Sequence, residues 1–324
     1  MAVIRGVTGR FQKQGLLLFL ALLGSVFALS SPYFFTGENL VNILVQSAVP
    51  VIASIGMTLV IATAGIDLSI GSILALSSIV MALAMKAGLG VAEGVTLGVL
   101  SGGVMGLANG LVIARLNISP FIVTLGTAGV FRALALIFTD ARPVYGMPLS
   151  FRMLGVGRWL WVPRSVVLAA AVAAAGYLII SRTRLGTNAR SAGDSPEGAF
   201  RMGVPITGTL VAVYVLSGLG AAIAGVVVTA RLNTAEAIAG IGVELEAIAA
   251  VVMGGTSFFG GEGSVGGTLL GALIIATLAN GLTILGVPSY YQQLAIGLVF
   301  IVAVAVDART RGVRRKGTLH PRQD

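Results

Sequence analysis

The sequence predicts an all-α membrane protein of about ten transmembrane helices, some short or discontinuous, with both termini in the cytoplasm. Three observations lead there. Of the 324 residues, 56% are apolar and only 10% are charged, whereas soluble domains carry about 25% charged residues. The mean hydropathy is +0.98, and the apolar residues come in runs long enough to cross hydrocarbon. Basic residues fall between those runs, mostly in alternate loops. A single soluble core could not absorb this much apolar surface, because cores stop growing near roughly 250–300 residues.

A spanning helix needs about 20 apolar residues. Such runs lie near 15–31, 41–63, 69–86, 92–114, 119–139, 164–181, 206–230, 243–256, 264–284 and 290–307. The first follows Arg5, Arg10 and Lys13 in the manner of a signal peptide. No small-residue cleavage site succeeds it, and the chain runs on through Pro32, Tyr33, Phe34 and Phe35, so it reads as a retained span. The eighth is short, and spans only if tilted or set in a protein-lined funnel. One membrane domain, 15–307, is thus expected between an N-terminal segment, 1–14, and a basic tail, 308–324. Between the fifth and sixth runs, segment 140–163 carries Trp159 and Trp161, which suit the headgroup region.

Orientation follows from Lys and Arg in short loops. With the N-terminus inside, the cytoplasmic segments hold Arg115, Arg182, Arg184, Arg190, Arg201 and the cluster from Arg309 to Lys316, among others. The outer side keeps Lys86, Arg142, Arg152, Arg158, Arg164 and Arg231. This asymmetry orients an inner-membrane protein in contact with lipid. It also accounts for the net charge of +9 without a nucleic-acid partner.

Several chemistries are excluded. There is no cysteine, and the one histidine, His320, lies in the tail, so disulfides, thiol nucleophiles and buried imidazole are ruled out. An intramembrane enzyme would lack its nucleophile, base or metal set. The loop Gly254-Gly255 to Gly260-Gly261-Glu262-Gly263 has neither the Gly-Lys-Ser/Thr ending nor the preceding strand of a phosphate-binding loop. No cofactor or metal is expected on this chain.

Between the second and third runs stands Thr63-Ala64-Gly65-Ile66-Asp67-Leu68-Ser69. Asp67 and Ser69 can cap the next helix. A carboxylate at membrane depth also costs roughly 2.5–3.5 kcal/mol and ordinarily faces a bundle interior or wet cavity. Both readings can hold, and Thr63, Asp67 and Ser69 are candidates for the translocation path. Glu244, at the start of the eighth run, is a fourth. With Glu246 it borders the outer mouth, with solvation at the surface as the plainer role. Arg132, in the outer half of the fifth run, either snorkels to headgroups or pairs within the bundle. Two glycine stripes, Gly98-Gly102-Gly106-Gly110 and Gly263-Gly267-Gly271, suit close helix packing.

The inner segment 182–205 predicts a helix of about seven residues. Asp194 or Ser195 supplies the N-cap, Pro196 fits the first turn, Glu197 complements the dipole, and Gly203 stands at the stop. Such a short helix is unstable alone. Presenting Ala199, Phe200 and Met202, it needs a partner surface, either the protein's own inner face or another chain.

At these residues the sequence resembles the ribose-type permeases of ATP-binding cassette (ABC) importers. The stretch Gly186 to Gly203 looks like their coupling loop. Gly56–Ser72, Glu244–Ser257 with Gly260–Gly263, and Leu285–Gln292 resemble three further family segments, in the same order. The resemblance implies a permease subunit that moves a monosaccharide or similar small polar solute by alternating access. Nucleosides, branched-chain amino acids or a quorum-signal sugar are alternatives, and an ion-coupled secondary transporter using Asp67 is a rival class. It further implies a homodimer, or a heterodimer with a paralogous permease. A periplasmic or lipid-anchored binding protein would deliver the solute. A cytoplasmic ATPase with two nucleotide-binding domains would carry ATP and Mg. The residues of this chain that couple to the ATPase would be Gly186, Asn188, Arg190, Gly193, Asp194, Ser195, Pro196, Glu197, Ala199, Phe200, Arg201, Met202 and Gly203. Phe258-Phe259 and segment 140–163 depart from the family pattern.

Overall fold

The computed structural model describes the backbone of residues 2–317 and the side chains of 14–309. His320 and the tail beyond 317 lie outside the described residues, as do the side chains of Arg5, Arg10, Lys13 and Arg311 to Lys316. The chain is built from helices. They are α1 (Ala2–Ser30), α2 (Gly37–Ala62), α3 (Ile70–Lys86), α4 (Val91–Leu116) and α5 (Pro120–Thr139), then α6 (Leu149–Val156) and α7 (Arg164–Arg182). Next come α8 (Arg184–Asp194), α9 (Pro196–Arg201), α10 (Ile206–Leu232), α11 (Val243–Met253), α12 (Val265–Ile284) and α13 (Ser289–Gly317).

Each of the ten apolar runs coincides with a helix. Seven helices are long and apolar enough to cross a membrane: α2, α4, α5, α7, α10, α12 and the 289–309 part of α13. The apolar part of α1 and the 17-residue α3 fall just short. At 11 residues, α11 rises only about 16 Å. It stops at Met253 rather than near 256, where Gly254-Gly255 break the helix.

Local chemistry fixes the ends. Thr36 Oγ1 accepts from Asn39 N (3.3 Å) to start α2, and Ser264 Oγ accepts from Gly267 N (3.2 Å) to start α12. Pro120 opens α5, where a missing N–H costs nothing. Of the seven long spans the most enclosed is α2, which packs against α7, α10, α11 and α12.

The glycine stripes are internal seams. A Cβ on Gly102 would stand 2.5 Å from Gly218 O, and one on Gly106 would collide with Tyr214 O. The α4 stripe therefore joins α4 to α10, with Gly98 turned to α3 at Ser77 and Met81. Gly267 and Gly271 bring α12 against Gly254 and Ala250 at the end of α11.

Segment 140–163 is more ordered than its sequence suggests. Strand β1 (Val144–Tyr145) pairs antiparallel with β4 (Thr234–Ala235), tying this segment to the one after α10. The short α6 packs against α10. A hairpin of β2 (Arg158–Trp159) and β3 (Val162–Pro163) then carries Trp159 and Trp161 at 68% and 86% exposure.

Candidate functional site

The turn between α2 and α3 holds a buried polar cluster. Asp67 and Ser69 are wholly buried. Asp67 Oδ1 accepts from Ser69 N (3.0 Å) and Ser69 Oγ (2.5 Å), while Oδ2 accepts from Ser217 Oγ of α10 (2.8 Å). Ser69 Oγ in turn accepts from Asn109 Nδ2 of α4 (2.8 Å). Ile66 O accepts from Tyr214 OH and from Thr124 Oγ1, both at 3.2 Å. Side chains from α4, α5 and α10 thus converge on seven residues of turn. Ser69 is the N-cap residue of α3 but makes no side-chain cap. Its hydroxyl is taken by Asp67 and Asn109, which corrects the expectation that it caps the helix. Thr63 ends α2, with Oγ1 donating to Val60 O (2.7 Å).

Sequence reasoning missed Asn109, Ser217 and Tyr214. The readable signal was an amide in the middle of an apolar run. Its partner lies 40 residues away, so the pairing itself was invisible.

The inner segment contains two helices where one was expected. α8 begins after Thr183, and its Gly186 backs onto the Ile180 carbonyl so closely that a Cβ would collide. Arg190 folds back, donating to Gly186 O and Ile180 O, both at 3.1 Å. Asn188 is half-buried on the same helix, and Asp194 is its last residue. Ser195 alone caps α9, its Oγ accepting from Gly198 N (3.1 Å), with Pro196 in the first turn. Glu197 and Arg201 form an exposed ion pair one turn apart (2.6 Å). Gly203 follows with φ +81°, a conformation that glycine adopts without steric cost.

Phe200 and Met202 are 72% and 76% exposed. Ala199 is 1% exposed, which corrects its expected place on the presented face. The inner side of α9 rests on α8 and α10, where a methyl group fits.

Beneath α9 three backbones meet without intervening side chains. Gly193 of α8 lies on the Ala62 carbonyl at the end of α2, where a Cβ would collide. The same carbonyl accepts from Gly261 N (3.0 Å). A Cβ on Gly260 would be 2.8 Å from Ala64 N and 2.9 Å from Gly193 O. The glycine loop is held from its other side by Asp307 of α13, whose Oδ2 accepts from Ser257 Oγ (3.2 Å) and Phe258 N (3.1 Å). The end of α8, the α2–α3 turn and the 254–263 loop therefore form one joint.

At the start of α11, Glu244 is half-buried. Its Oε1 accepts from Gly242 N (3.2 Å), and its Oε2 is shielded from solvent without a hydrogen-bond partner among the described residues. Gly71 of α3 leaves room for that oxygen and for the Gly240 carbonyl. Surface solvation is thus not the role of Glu244. Arg132 does not snorkel: its Nη1 donates to Ala237 O and to Ala239 O (2.7 Å), clamping the segment that leads into α11.

A bundle of membrane-crossing helices, an ordered helical knob between two of them and a turn whose polar side chains are buried define a polytopic membrane protein with no catalytic constellation among the described residues. Residues 39–304 match the family described as branched-chain amino acid transport system / permease component. The D-allose transport system permease protein of Escherichia coli K12 is 41% identical over 299 residues, covering 92% of both chains. The ribose import permease protein of Bacillus subtilis 168 is 40% identical, covering 93% of this chain and 94% of its own. The fructose import permease protein of Rhizobium meliloti is 36% identical, covering 86% and 80%. The chain belongs to this family of transport-system permease components, and it is a multi-pass inner-membrane protein.

Proposed function

We propose that this chain is the membrane subunit of an ABC importer for a monosaccharide and does no covalent chemistry itself. Ten helices cross the membrane with both termini inside. Two copies form a homodimer with the pathway at or near its axis. A periplasmic or lipid-anchored binding protein delivers the sugar, and a cytoplasmic ATPase with two nucleotide-binding domains, carrying ATP and Mg, docks on α9. Sugar is favoured over branched-chain amino acids because the allose and ribose permeases match over nine-tenths of both chains. ATP binding and hydrolysis on the partner would bias two membrane conformations, and the solute shifts them only through its differential affinity.

The observation that carries this reading is α9. A capped, six-residue helix and the Met202 that ends it leave Phe200 and Met202 exposed to water between two spans, with little cover from the described residues. Burying such a side chain is worth roughly 1.5–3 kcal/mol, and aromatic anchors often dominate interfaces. The test is co-purification of the ATPase with the permease, together with sugar uptake by the reconstituted importer. Phe200→Asp is expected to release the ATPase and abolish uptake. Full co-purification and coupled hydrolysis in that variant would remove α9 as the docking element.

A further inference from the structure

Away from the buried turn, α2, α10, α11 and α12 enclose a cleft of about 260 Å³. Its walls include Gln46, Pro50, Val228, Arg231, Glu246 and Ala279. Gln46 lies roughly 14 Å along α2 from its Gly37 end, at a rise of 1.5 Å per residue, so the cleft reaches well into the bundle. Of its apolar wall, Val49, Ile275 and Ala276 are buried, and Val228 and Ala279 are half-buried.

The polar groups here are not satisfied by one another. Among the described residues, Arg231 and Glu246 line the same cleft without forming an ion pair, and Arg231 Nη1 donates to Val45 O at 3.5 Å. Pro50 lies inside α2. It has no N–H to give to the carbonyl four residues before it, and that carbonyl belongs to Gln46, on the same wall. Arg231 is exposed at the rim of the cleft, whereas Glu246 is half-buried, and an acid set within a spanning bundle is costly and by default marks a functional site. Here an acid, a cation and an amide line one small cleft.

We propose that this cleft is a transient subsite for a neutral polyhydroxyl solute, namely one monosaccharide entering from the α2 N-terminal end of the bundle. The proposal rests on the reading as a sugar importer. The opposed charges cancel, which disfavours an ionic solute, and the mixture of donors and acceptors matches hydroxyl groups, which do both. Val228, Ala279 and Ile275 suit the C–H faces of a sugar ring. A lipid chain would leave every polar group in the cleft unpaired. The volume is below the roughly 300–1,000 Å³ of drug-sized sites, and suits one small solute.

Two measurements test this. The complete importer, with its ATPase and binding protein, is reconstituted in liposomes. D-ribose, D-allose, D-fructose and L-arabinose are tried to find the transported sugar. Gln46→Ala and Glu246→Gln are expected to lower maximal sugar uptake about tenfold, as for loss of one hydrogen bond worth a tenfold factor. ATPase co-purification and binding-protein-stimulated hydrolysis stay within about twofold of the parent, so that sugar moved per ATP falls. The chain has no cysteine, so Gln46→Cys gives a unique thiol. A charged, membrane-impermeant thiol reagent added outside is expected to modify it, and turnover with sugar is expected to slow that modification several-fold. Parental uptake in both substitutions, or modification of Gln46→Cys at a rate indifferent to sugar, overturns the subsite. Loss of ATPase co-purification and of solubilised mass in both variants assigns the residues to folding and overturns it as well. If the parent importer moves none of the four sugars, the sugar reading itself falls, an outcome distinct from failure of the variants alone.

Discussion

Asp67 stands where α2 has ended and α3 has not begun, so its neighbours' backbone groups cannot all be satisfied within a helix. Its two oxygens take three donors, and through Ser69 the cluster extends to Asn109. Removing the carboxylate would leave the buried Ser69 N–H and Ser217 hydroxyl without acceptors, at about 1–3 kcal/mol each. Asp67→Ala is therefore expected to lower the melting temperature of the detergent-solubilised protein by several degrees and to reduce uptake. Asp67→Asn keeps one carbonyl oxygen for Ser69 N, and the Ser217 hydroxyl can turn to accept from the new amide, so its loss should be the smaller of the two. Thermal unfolding with equal-expression uptake assays checks the order Asp > Asn > Ala. Equal melting temperatures for parent and Asp67→Ala would show that the cluster contributes nothing to stability.

Among the elements, α8 and α9 divide the work that one helix was expected to do. α9 carries the exposed Phe200 and Met202. α8 carries Gly193, which meets the Ala62 carbonyl and the 260–261 backbone with no side chain between. Such contact transmits displacement with little slack, because packed interiors deform poorly. Gly193→Ala forces a methyl group into that joint. The ATPase should still co-purify, since α9 is intact, while stimulation of hydrolysis by the binding protein should be lost. Phe200→Asp should lose both. Normal stimulation in Gly193→Ala would exclude the joint from coupling.

The boundaries of α9 were legible because Ser195, Pro196 and Gly203 act through the local backbone. α8 was not, since its sequence from Arg184 to Asp194 is polar, with two glycines, and its helicity depends on docking against α7 and α10. The exposure of Ala199 was misjudged for the same reason: burial of a small residue is decided by what lies underneath. Apolar runs were read well because hydrocarbon demands length and composition. The Asp67–Ser217 pair was unreadable because its members lie 150 residues apart.

At the scale of the molecule, the proposed topology has successive membrane-crossing helices reverse direction, so that loops alternate between the two ends of the bundle. Contacts agree with that alternation at both ends. The turn at 63–69, the end of α8 and the 254–263 loop meet one another, while β1 meets β4 at the far end. On the topology proposed above, the basic segments around α8 and α9 put the first of these ends in the cytoplasm by the positive-inside rule, and the exposed tryptophans at the β2–β3 hairpin suit the opposite headgroup region. The three helices of marginal length decide how many crossings there are, and α3 is the most informative. If its 17 residues cross, Leu89 lies outside and Leu116 inside, both being exposed. Because the chain lacks cysteine, single substitutions Leu89→Cys, Leu116→Cys, Leu160→Cys and Phe200→Cys report position without a background. An impermeant thiol reagent applied to intact spheroplasts is expected to label Leu89→Cys and Leu160→Cys directly, and Leu116→Cys and Phe200→Cys only after permeabilisation. Labelling of Leu89→Cys only after permeabilisation, with Leu160→Cys still outside, would mean that α3 is re-entrant and that only one of α4 and α5 crosses. Reversal of all four would place the knob of α9 outside, where no ATP-driven partner could reach it.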